Sequence, residues 1–105
     1  MKVVFHDAFR SSYCRDPAAA EGRMDAVLGV IKDYVEIVEA QPASYADIAT
    51  CHTKEHINFV FSLGLYEISA LAAGAAIQAA TIGLDEPCFA LVRPPGHHAS
   101  SESSW

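Results

Sequence analysis

Apolar positions recur along this chain in more than one rhythm, and each rhythm predicts a different element. Lys2-Val-Val-Phe5 is a short β-branched and aromatic run, which suits a buried strand beginning at the terminus. Asp7 to Glu21 has no sustained period and contains Pro17, so it reads as a loop. From Arg23 the rhythm turns helical. Met24, Val27, Leu28, Ile31, Val35 and Val38 fall on one stripe, with Asp25, Lys32, Asp33, Glu36 and Glu39 elsewhere. Pro42 closes that predicted helix from outside.

Tyr45 to Cys51 is ambiguous and fits one helical turn leading into a short strand. Thr53 can cap a following helix that turns Ile57, Val60 and Phe61 inward and ends at Gly64. Tyr66 to Ile82 is the clearest helix, with Ile68, Leu71, Ala72, Ala75, Ala79 and Ile82 on one face. Its other face is also rich in Ala, so neighbours on both sides are expected. Gly74 in its middle costs about 1 kcal/mol against Ala, which close packing against a neighbour would explain. Gly83 stops the helix. After Asp85-Glu-Pro87, the apolar run Cys88-Phe-Ala-Leu-Val92 has the length of a buried strand, and Arg93-Pro-Pro-Gly96 then forbids regular structure. A strand, several helices and a second, fully apolar strand predict an α/β fold with a parallel sheet flanked by helices. No repeat, low-complexity tract or linker divides residues 1–105.

Charge and composition narrow the function classes. A formal net charge of -6 argues against a nucleic-acid backbone as partner, since that requires clustered Lys and Arg. An acidic surface suits a cationic ligand better. Cys14, Cys51 and Cys88 are odd in number, far apart and without a CxxC pair, so neither a disulfide framework nor a zinc knuckle is expected. Cys51 and Cys88 read as small core hydrophobes and Cys14 as exposed. A reducing, cytoplasmic compartment is the plain expectation. The run at Met1 to His6 is too short for a signal peptide. Ile68 to Leu84 reads as a core helix rather than a membrane span, because Ala and Gly dominate it and Gln78 interrupts it.

The candidate chemistry sits where the chain leaves the second strand, as ligand sites do in open α/β sheets. There Arg93-Pro-Pro-Gly-His-His-Ala99 places two adjacent imidazoles after a rigid Pro-Pro and a permissive Gly. Two imidazoles held close repel when both are charged, so one can stay a neutral base while the other carries a proton. Amide hydrolysis uses such a pair, since water loses a proton and the leaving amine gains one. A bare His-His dipeptide is more often a surface loop; the whole heptad at a strand end is not.

Phe89-Ala-Leu-Val-Arg-Pro-Pro-Gly-His-His-Ala99 resembles the active-site segment of histone deacetylases and acetylpolyamine amidohydrolases. Leu71-Ala-Ala-Gly-Ala-Ala-Ile-Gln-Ala-Ala80 is similar to the Ala-rich helix before it, and Thr50-Cys-His-Thr-Lys-Glu-His-Ile57 to the family's His-containing strand-to-helix junction. The resemblance implies a partial arginase/deacetylase-like fold. It implies His98 as the general base that later acts as acid, and His97 as its charged or hydrogen-bonded partner. It also implies a zinc ion in the complete enzyme that polarises the acyl carbonyl, and an acetyl-lysine or acetylpolyamine substrate.

Three departures from the family accompany it. Ala19-Ala-Glu-Gly-Arg23 stands where the family carries a His-Pro-Glu-Arg-like stretch, and Gly64 runs almost directly into Tyr66 where relatives have a longer acidic loop. The family's metal-binding Asp and His residues and its transition-state Tyr lie beyond His98. The expectation is therefore an incomplete N-terminal segment, with no metal bound by these residues alone, inactive by itself, and either self-associating or joined to a missing C-terminal half. No membrane and no nucleic acid enter. Trp105 only marks where the chain stops, after a serine-rich tail, Ser100 to Ser104, expected to be mobile. A stand-alone, non-catalytic α/β binding or assembly module is the alternative.

Other residues offer competing readings. His52-Thr-Lys-Glu55-His56 matches the H-x-x-E-H pattern of a zinc peptidase, but a cap at Thr53 would leave His52 off the helix, and no third ligand is evident. His6 near the end of the first strand reads as structural, and Arg93 as a brace for its loop.

Overall fold

The computed structural model describes residues 1–103; Ser104 and Trp105 lie outside them. Strand β1 (Lys2–Phe5) is the centre of a three-stranded parallel sheet of order β2-β1-β3, with β2 at Glu36–Glu39 and β3 at Cys88–Ala90. Val3 and Val4 are fully buried, as two β-branched residues between two partner strands must be. Their register pairs Val4 with Val38 on one side and with Ala90 on the other. The remaining elements are helices: α1 (Arg23–Ile31), α2 (Tyr45–Ala49), α3 (Lys54–Ser62) and α4 (Tyr66–Ile82), with two short 3-10 turns at Asp7–Arg10 and Pro17–Ala19.

Strand β2 corrects the sequence expectation of a helix there. The helical stripe through Val35 and Val38 does not continue, because the helix ends at Ile31 and a turn follows, with the Tyr34 amide donating to the Ile31 carbonyl at 2.9 Å. Val35, Ile37 and Val38 are β-branched and fit a pleat, and the open edge of β1 supplies the main-chain partners that a helix would have supplied internally. Glu36 N–H donates to the Met1 carbonyl at 3.1 Å and Ala40 N–H to the Phe5 carbonyl at 2.9 Å, which fixes the ladder at both ends. The segment Asp7 to Glu21 is likewise not all loop. His6 Nδ1 accepts from the Ala8 amide, and Asp16 accepts from the Ala18 amide, each capping one of the 3-10 turns.

Thr53 caps α3 as its spacing predicts, accepting from the His56 amide at 3.2 Å, and Gly64 follows the helix at φ +72°. The inner face of α3 is differently composed, however. His56 and Ile57 are buried, while Phe61 is half exposed and stacks on Tyr66 at 3.9 Å between ring centroids. Tyr45 to Ala49 is helical, and a turn and then α3 follow it in place of the expected short strand.

Helix α4 packs on β1 and β3. Its Ala-rich second side is covered too, by the chain leaving β2: the Ala43 amide donates to the Ala70 carbonyl at 2.8 Å. A Cβ on Gly74 would collide with the main chain of Gln41 to Ala43, so glycine here permits the close approach. Among the described residues no helix is long and apolar enough to cross a membrane.

Candidate active site

All three strands end on the same side of the molecule, since all run parallel. The Leu91 amide donates to the Val4 carbonyl at 3.0 Å, which carries the pairing of β3 one residue past its last strand residue. Two residues later the chain reaches Arg93, only 4% exposed. Its guanidinium donates to main-chain carbonyls of Phe9 at 2.6 Å, Arg10 at 2.8 Å, Ala20 at 2.9 Å and Ala18 at 3.3 Å, with Ser11 at the 3.5 Å limit. The bracing role expected for Arg93 is therefore present, and it reaches across the sheet end to the Asp7–Ala20 segment.

Beyond Pro94 and Pro95, Gly96 adopts φ +65°, and the Ala99 amide donates to its carbonyl at 2.9 Å. That bond closes a turn with His97 and His98 at its two central positions. Both side chains are exposed, with ring centroids 4.1 Å apart and planes tilted by 47°. The pair thus lies in a loop at the carboxyl end of β3, neither in the core nor in a helix. The turn is pinned on its far side as well, because the Ser101 carbonyl accepts from the Thr53 amide at 2.9 Å, at the start of α3. Within the serine-rich tail, the Ser100 amide donates to the Ser103 carbonyl at 2.7 Å, and the two hydroxyls lie 2.9 Å apart.

Beside this loop, an apolar cavity of about 490 Å³ opens between Tyr13, Arg23, Met24 and Val27 on one side and Leu91 to Arg93 on the other. His97 and His98 do not line it. Burial pushes the Tyr13 phenol above its ordinary value, and repulsion from Cys14 adds to this, while Arg93, whose guanidinium carbon lies 5.9 Å from the Tyr13 ring centre, opposes it. Sequence reasoning missed Tyr13. The one signal available was an aromatic residue inside an otherwise polar stretch.

The H-x-x-E-H reading does not assemble. His52 precedes the Thr53 cap and so lies outside α3; its ring and that of His56 are 5.2 Å apart, and His56, within α3, is buried. His52 Nδ1 is buried without a hydrogen-bond partner among the described residues. His6 serves as the cap already described, with Nε2 3.7 Å from Glu39. Among the described residues, no group of three His, Cys, Asp or Glu side chains converges as a metal site.

No family model matches the sequence. A probable deacetylase of Archaeoglobus fulgidus is 31% identical over 129 aligned positions, which take in 92% of this chain and 34% of the relative. The aligned stretch exceeds the 105 residues of the chain, so the relative carries insertions against it. This match supports a place in the histone deacetylase and acetylpolyamine amidohydrolase family. The polyamine deacetylase HDAC10 of Danio rerio is 26% identical over 91 positions, covering 84% of this chain and 14% of that protein. The HD domain of HDA15 superposes with a TM-score of 0.76 over 96% of this chain and 38% of that one, at 22% identity, which shows the shared fold. The chain thus spans about a third of the length of the first of these family members and less of the second.

Proposed function

We propose that these residues form the front part of a zinc-dependent amidohydrolase that removes acetyl groups from lysine side chains or polyamines. The observation that carries the reading is the Gly96–Ala99 turn, which presents two imidazoles side by side where the chain leaves a parallel sheet. In this reading His98 takes the proton of the attacking water and returns it to the departing amine. His97 stabilises the charge that develops beside it. Each such role contributes about 10² to 10⁴ in rate.

The metal ligands would come from polypeptide outside these residues, which makes residues 1–105 an incomplete domain. The β3 edge, bordered by half-exposed Phe89, is where further strands of the same sheet, or another copy of the chain, would add. An acidic surface suits the cationic remainder of a polyamine or a lysine-rich tail, and a cytoplasmic setting suits three unpaired cysteines.

The test has two arms. The 105 residues alone, with added zinc, are expected to release no acetate from acetyl-lysine or acetylpolyamine substrates. A coding sequence that continues past Trp105 is expected to yield a protein that does, with activity abolished in His98→Ala. A longer protein that binds zinc yet hydrolyses neither substrate would overturn the proposal and favour a non-catalytic module.

A further inference from the structure

Arg93 and His56 are the buried polar side chains among the described residues, and Arg93 bears a permanent charge. No carboxylate among those residues stands within ion-pair distance of it, so the guanidinium is not held by an opposite charge. Its partners share one property instead. Phe9 and Arg10 are the last residues of the first 3-10 turn, and Ser11 is its cap; Ala18 lies in the second turn, and Ala20 caps it. Carbonyls at the carboxyl end of a helical turn lack partners within the turn and carry partial negative charge. One planar fork of N–H donors therefore caps two turns at once, 73 to 84 residues away in sequence.

Only Pro94, Pro95 and Gly96 separate this anchor from His97. Two successive prolines have fixed φ, so a movement of the Arg93 backbone is passed along rather than absorbed.

We propose that Arg93 is a positioning residue that joins the Asp7–Ala20 segment and the His97–His98 turn into one mechanical unit, so that rearranging the segment moves the histidine pair. Its bearing on catalysis rests on the function proposed above; the coupling itself does not. Lysine cannot replace it, because three donors at a single point do not span carbonyls on two separate turns.

The coupling is read from the ring resonances of His97 and His98 in the full chain, assigned with single His→Gln variants. The amide signals of Thr81 and Gly83, at the far end of α4, serve as internal controls. Arg93→Lys is expected to shift both His97 and His98 signals and to change their rate of modification by diethyl pyrocarbonate several-fold, with Thr81 and Gly83 unmoved. Ala20→Pro approaches from the other side and leaves Arg93 intact. Ala20 is exposed and its φ of -60° suits proline, but the change removes its amide bond to the Pro17 carbonyl and disfavours the helical conformation of Ala19. It too is expected to move the His97 and His98 signals. If Ala20→Pro shifts the segment's own amide signals while the histidine pair stays put, the coupling is overturned, even should Arg93→Lys fail to fold. Signals that move in a longer protein that binds zinc yet hydrolyses neither substrate would keep the coupling and sink the catalytic reading.

Discussion

Gln78 on α4 holds the main chain of Gln41 at the exit of β2: its Oε1 accepts the Gln41 amide at 2.7 Å, while its Nε2 donates to the Glu39 carbonyl at 3.2 Å. One turn earlier, Gly74 lies directly under the same stretch. The polar residue that interrupts an apolar helix and the glycine that weakens it thus serve one contact. Gly74→Ala is expected to destabilise the protein by about 1–3 kcal/mol through overpacking. This holds although Ala is the better helix former by about 1 kcal/mol. Urea unfolding followed by circular dichroism measures it; a Gly74→Ala protein at least as stable as the parent would contradict the contact.

The parallel register of β2 makes a sharper distinction. Glu36 and Ala40 direct their amides at β1, so by the alternation of a strand Val38 does the same, and Ile37 points its amide away from the sheet. Val38→Pro is expected to cost about 3 kcal/mol or more, and Ile37→Pro far less, because proline is tolerated where an edge strand faces solvent. Comparable losses from both substitutions would point back to a helix through Val38. Denaturant midpoints of the two variants decide it.

Tyr13 gives a pH dependence. Its phenol is raised in the folded state above the ordinary 10.0, chiefly by burial, so folding favours the neutral form. The unfolded chain then loses this proton first as pH rises. The stabilisation is complete below about pH 10 and disappears as pH climbs through the folded-state value. Tyrosinate absorbance should show one late-titrating phenol, absent in Tyr13→Phe, and that variant should lose less stability than the parent at high pH. A late phase that persists in Tyr13→Phe would contradict its burial.

Much of this protein was legible from residue order because the deciding physics is local. The helix at Tyr66–Ile82 follows from its own periodicity and ends where Gly83 stands, and the α3 cap follows from Thr53 preceding a helical run. The histidine loop follows in the same way, since Pro94, Pro95 and Gly96 exclude helix and strand without help from elsewhere. Val35 to Val38 shows the opposite case. Spacings of three and four residues satisfy a helical stripe, yet the same β-branched residues fit a strand, and only the open edge of β1, more than thirty residues away, selects between them. Periodicity alone turns Phe61 inward, but α3 rotates to bury His56, and the Phe61 ring finds Tyr66 instead. The family resemblance and the position of His97 and His98 came from the sequence. What fixes that loop did not, because the partners of Arg93 are main-chain carbonyls of two distant turns, and a carbonyl is the one acceptor that every residue carries alike.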